Sequence, residues 1–67
     1  MNNAIADSNK LYYTAAEVAD FLGVSMPSAY RLIHSLNDEL KNMGYITVAG
    51  KISRAYFRKK IYATETA

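Results

Sequence analysis

The chain has no cysteine, one histidine, one proline and three glycines in 67 residues. Without cysteine there is no disulfide, no thiolate nucleophile and no Cys-ligated zinc, which fits a reducing compartment. A lone His34 cannot build a metal site without several carboxylates beside it. Apolar runs are only a few residues long, so neither a membrane span nor a signal peptide is expected. The expectation is a soluble cytoplasmic protein with no membrane partner. The length allows one small domain, and a core of that size rarely yields more than ~3–5 kcal/mol of net stability. No carboxylate pair, no nucleophile beside a base and no phosphate loop can be assembled, and a pocket usually needs more scaffold. No enzyme activity, catalytic residue, metal or cofactor is therefore expected.

What is present is enough apolar content, 51%, for the chain to fold. Charge is distributed unevenly. Residues 1–50 carry Lys10, Arg31 and Lys41 against five acids, net −2, whereas residues 51–67 carry five bases against Glu65, net +4. A basic segment on a compact domain suggests an anionic partner.

Three stretches are expected: a flexible arm at residues 1–10, a folded domain at 11–62 and a flexible tail at 63–67. Leu11-Tyr12-Tyr13 is a short apolar lead-in that can form a brief strand. Thr14 and Glu17 make a capping box, in which the hydroxyl accepts from an early backbone N–H and the carboxylate reaches back. Ala15, Val18, Ala19 and Leu22 follow at helical spacing, with Phe21 at the edge, and Gly23 is the expected left-handed stop. Ser25 caps a second helix, and Pro27 lies in its first turn, where a missing N–H costs nothing. Ala29, Leu32, Ile33, Leu36, Leu40 and Met43 form its apolar stripe, and Gly44 ends it. Tyr45–Val48 is β-branched and aromatic, so the spacing predicts a strand there, a turn at Ala49-Gly50 and a return strand at Lys51-Ile52. Ser53 caps a last helix to about Tyr62, with Phe57 and Ile61 inward; Tyr45 and Tyr56 are expected at the core edge.

The order is helix, tight turn, helix, hairpin, helix. This is a mainly α fold with a small β-hairpin: a winged helix-turn-helix with a two-stranded wing and a short C-terminal helix. A tight turn containing Gly sets two helices at roughly 90–120°, which aims the start of the second one outward. The major groove of DNA accepts such a helix. The projecting residues are Ser25, Met26, Pro27, Ser28, Tyr30, Arg31 and His34. Arg31 can bond guanine O6 and N7 or clamp a phosphate, and Ser28 can donate to either. Tyr30 can reach the backbone, Met26 can touch a thymine methyl, and His34 is expected near phosphates. A face made only for solvation is usually richer in Glu and Lys, and this one carries no acid before Asp38. Gly50 and Lys51 form a small basic wing tip, with Arg54 next to the wing at the start of the last helix, in a segment whose bases are interleaved with aromatics. Arg58, Lys59 and Lys60 serve either phosphate contact or solubility.

The stretch YYTAAEVADFLGVSMPSAYRLI resembles the helix-turn-helix of the excisionase-like, MerR-related DNA-binding domains. The Thr cap, "EVA", the "LGVS" turn and "YRLI" fall at Thr14, Glu17–Ala19, Leu22–Ser25 and Tyr30–Ile33. The resemblance continues through GYITVAGKISRAYF and covers residues 11–62. It implies a bacterial mobile-element protein that binds double-stranded DNA on the nucleoid, with Ser28, Tyr30 and Arg31 on the recognition helix and Gly50 and Lys51 on the wing. It also implies a recombination directionality factor, working as a dimer or array of copies with an integrase, or else a transcription regulator. A winged module for protein assembly, without DNA, is the alternative of another class. Two departures stand out: Met26-Pro27 where the family often has Arg or Thr, and a second helix lengthened by SLNDELKNM.

Overall fold

The computed structural model describes residues 11–66, so expectations for the arm at 1–10 and for the side chains of the tail at 63–67 fall outside the described residues. The elements are β1 (Tyr12–Thr14), α1 (Ala15–Leu22), α2 (Met26–Asn42), β2 (Lys51–Ser53) and α3 (Arg54–Thr66). The architecture is the expected one, mainly helical with one antiparallel strand pair.

Local capping sets the helix boundaries. Thr14 Oγ1 accepts the Glu17 N–H at 3.2 Å, and the Thr14 N–H donates to Glu17 Oε1 at 2.9 Å, which satisfies two donors that a helix start leaves open. α1 stops at Gly23, whose φ is +68°. A Cβ there would meet nothing within 4 Å, so backbone conformation rather than space selects glycine. Ser25 Oγ accepts the Ser28 N–H at 3.3 Å and opens α2. At its far end Gly44 N–H donates to Lys41 O and Tyr45 N–H to Leu40 O, both at 2.9 Å, the pair of bonds of a Schellman motif. Tyr56 N–H on Ser53 Oγ at 3.2 Å opens α3, whose backbone continues past Tyr62 to Thr66.

The sheet differs from expectation. β2 pairs with β1, in the register Tyr12 with Ser53, Tyr13 with Ile52 and Thr14 with Lys51. Of the expected Tyr45–Val48 strand only one bridge remains, Val48 with Lys51 across the turn. The lead-in strand occupies the edge of β2. Tyr45 and Ile46, at 62% and 86% exposed, have no face to bury, and β propensity without packing does not make a strand.

The core gathers Tyr13, Ala15 and Val18 with Ala29, Ile33, Leu36 and Leu40, closed by Ile52 and Phe57. Leu32, Tyr56 and Ile61 pack at its margin. Phe21 is exposed on one side, yet its ring lies 5.0 Å from Tyr13, and the Tyr13 ring lies 5.4 Å from Phe57. Three expected core residues turn outward. Leu22 sits on the last turn of α1, Met43 is the C-cap of α2 where the chain is already leaving the helix, and Tyr45 follows it into the open loop.

The C-terminal half of α2 is tied to α3 by a latch. Tyr56 Oη donates to Glu39 Oε1 at 2.5 Å, and Lys60 Nζ lies 3.2 Å from the same oxygen. The Tyr56 hydrogen bond, then Lys60, hold the Glu39 carboxyl below its ordinary 4.5. The same bond raises the Tyr56 phenol above its ordinary 10.0. A depressed carboxyl contributes stability that is full above the unfolded value and fades as pH falls through the folded one. A raised phenol contributes below its unfolded value and loses this as pH rises through the folded one. Glu39→Gln should therefore lower the melting temperature at neutral pH, and the gap to the unmodified chain should close well below pH 4.5. A gap that stays constant down to acid pH would show that no charge-dependent stability resides there.

Candidate nucleic-acid interface

The tight turn at Gly23 frees the first turn of α2 from the core, because in that half of the helix only Ala29 and Ile33 are fully buried, with Leu32 at the core's margin. Ser25, Met26, Pro27, Tyr30, Arg31 and His34 are exposed, and Ser28 is half-buried. Ser25 Oγ donates to Ser28 Oγ at 3.1 Å, and Arg31 Nη2 donates to the same oxygen at 3.3 Å. Ser28 Oγ thus accepts twice, which leaves its own proton available for donation. The guanidinium is held at the helix surface, and among the described residues most of its five N–H donors are unused. His34 Nε2 lies 3.7 Å from Asp38 Oδ2, an ion pair only when the imidazole is protonated.

The wing reaches this face. Val48 to Lys51 is a tight turn closed by Lys51 N–H on Val48 O at 3.1 Å. Gly50, third in the turn, has φ +77°, the left-handed value a type II turn needs at that position. Its Cα faces Tyr30: an added Cβ would lie 3.5 Å from Tyr30 Cε1. Met26, Tyr30, Ala49, Gly50 and Lys51 line one shallow groove with Thr14, Ala15 and Ala16 of the β1–α1 junction. The structure thus brings Met26, Tyr30, Gly50 and Lys51 together beside the Ser25–Ser28–Arg31 chain. Among the described residues neither Arg31 nor Lys51 has a carboxylate partner, so both charges face solvent uncompensated.

Arg54 and Arg58 lie elsewhere. Arg54 stacks its guanidinium 4.8 Å from the centre of the Tyr13 ring. Both arginines line grooves formed with Leu11, Tyr13, Phe21 and Phe57, to which no residue of α2 contributes. They form a second basic surface, whose grooves share no lining residue with the groove at the wing.

Asn37 was not foreseen. It is buried, and its Nδ2 donates to both Val48 O at 3.2 Å and Lys51 O at 2.9 Å. Its position carried a signal: a polar residue on the apolar stripe, four after Ile33 and three before Leu40, implies a defined partner. Among the described residues no group of acidic or imidazole side chains could hold a metal ion, and no helix is long and apolar enough to cross a membrane.

The chain is 38% identical over 48 residues to the ICEBs1 excisionase of Bacillus subtilis (strain 168), a match covering 72% of this chain and 75% of that protein. No protein-family model matches the chain. No solved structure matches it significantly.

Proposed function

This chain belongs to the excisionase family, and from that premise we propose that it is the recombination directionality factor of a bacterial mobile element, binding double-stranded DNA at repeated sites and bending it to promote excision. The observation that carries the reading is the meeting of helix and wing, with Tyr30 against Gly50 in a groove shared with Lys51 and Arg31 exposed next to Tyr30 on the helix, where neither cation has a carboxylate partner among the described residues. In this reading the first turns of α2 enter the major groove. Arg31 bonds guanine O6 and N7 or a phosphate, Ser28 donates its free proton, and Met26 packs on a thymine methyl. Tyr30 reaches the sugar-phosphate backbone, and the Met26 N–H at the positive end of α2 favours a phosphate, since Ser28 N–H and Ala29 N–H already donate to Ser25. Lys51 follows the backbone from the wing tip, and His34 lies at the edge of the face. Arg54 and Arg58 would meet phosphates that a bent duplex brings to the second basic surface.

One copy contacts few base pairs, so specificity comes from dimers or copies set side by side. The protein performs no bond chemistry; an integrase does that. Its place is the cytoplasm, on the nucleoid. The reading is tested by an excision assay with the cognate integrase, with and without this protein. Excision that depends on the protein is expected. Excision that proceeds equally without it, with altered activity of the element's promoter, would instead make the protein a transcriptional regulator.

A further inference from the structure

Asn37 is 6% exposed and sits on the inward side of α2. Its amide spans the mouth of the wing turn, donating to the carbonyls of its first and last residues, Val48 and Lys51. Two helical turns earlier Tyr30 meets the tip of the same turn at Gly50. The leading limb of the wing has no strand ladder to hold it, since Tyr45–Thr47 is not a strand and Val48 makes a single bridge. Asn37 stands in for that ladder. Its Oδ1 has no donor among the described residues, so the hold lies on the Nδ2 side. Aspartate at this place would turn a carboxylate toward two carbonyls, and leucine would fill the space with no donor at all.

We propose that Asn37 is the positioning residue that couples wing to recognition helix, holding Lys51 at a fixed offset from Arg31 so that both reach DNA as one rigid fork. The proposal rests on the DNA-binding reading above. It is tested with the full chain and a duplex carrying the element's end, using Asn37→Leu and Asn37→Ser, each alone and combined with Lys51→Ala or Arg31→Ala. In the unmodified chain Lys51→Ala should weaken binding about fivefold, as expected for a lost phosphate contact. In either Asn37 variant it should change affinity by less than a factor of two, while Arg31→Ala keeps its full effect. The backbone amide of Lys51 should also exchange with solvent about tenfold faster in the variants, with the Ile33 amide unaffected. A side chain that only stabilised the fold would scale every affinity alike. An unchanged Lys51→Ala factor, or unchanged exchange at the Lys51 amide, therefore overturns the proposal. If Asn37→Leu does not fold, Asn37→Ser carries the same comparison. If the unmodified chain binds no duplex, the proposed function fails, and amide exchange alone decides whether Asn37 fixes the wing.

Discussion

Arg31→Ala is expected to weaken binding to the element's ends by about 1–3 kcal/mol, roughly 5- to 150-fold. The guanidinium is exposed and oriented by Ser28 Oγ at 3.3 Å. No carboxylate among the described residues draws it away from a ligand. Removing it touches nothing in the core, so the melting temperature should hold while affinity drops. Gel-shift titrations at several salt concentrations separate its possible contacts. Loss that is uniform across sequences, with a shallower salt dependence, marks a phosphate contact. Loss confined to one base pair of the site marks a guanine contact. Unchanged affinity on every sequence would remove Arg31 from the interface.

The second large effect is on folding. Ile33 is 1% exposed and among the largest fully buried side chains. It lies two residues after Arg31 on the opposite side of α2, so the face that carries the arginine is braced by the isoleucine behind it. Truncating such a residue to alanine costs about 2–5 kcal/mol, against a net stability of only ~3–5 kcal/mol for a core this small. Ile33→Ala should therefore be largely unfolded at 25 °C in a urea titration and should lose DNA binding with its fold. Ile33→Val, costing about 0.5–1.5 kcal/mol, should stay folded and keep its affinity. An Ile33→Ala chain as stable as the original would mean that the core is not centred on α2.

What could be read in advance was what residues close in sequence decide. The capping box of Thr14 and Glu17, the stop at Gly23 and the cap at Ser25 with Pro27 each depend on side chains within three or four residues. They place both helices and the turn between them, and with these the exposed face Ser25–His34. The strand partner was not legible, because pairing Tyr12–Thr14 with Lys51–Ser53 is a choice between distant segments. The nearer candidate, Tyr45–Val48, had the better composition but no surface to cover. The Glu39–Tyr56–Lys60 latch likewise depends on the register of α2 against α3. Arg54 follows β2 directly, and that its guanidinium lies over the Tyr13 ring depends on how β1 pairs with β2, another choice between distant segments. Asn37 broke the apolar pattern of its own helix, which marked it as partnered without naming the partner.

Binding of duplex DNA at repeated sites is assigned to the exposed start of α2, with Tyr30 and Arg31, together with the wing at Gly50 and Lys51. Footprinting of the purified protein on the element's own ends, across a range of salt, tests this most directly. Short protected repeats are expected that vanish steeply as salt rises, with a slope of about −0.9 per phosphate contacted. No protection at low salt, or protection indifferent to salt, would contradict it.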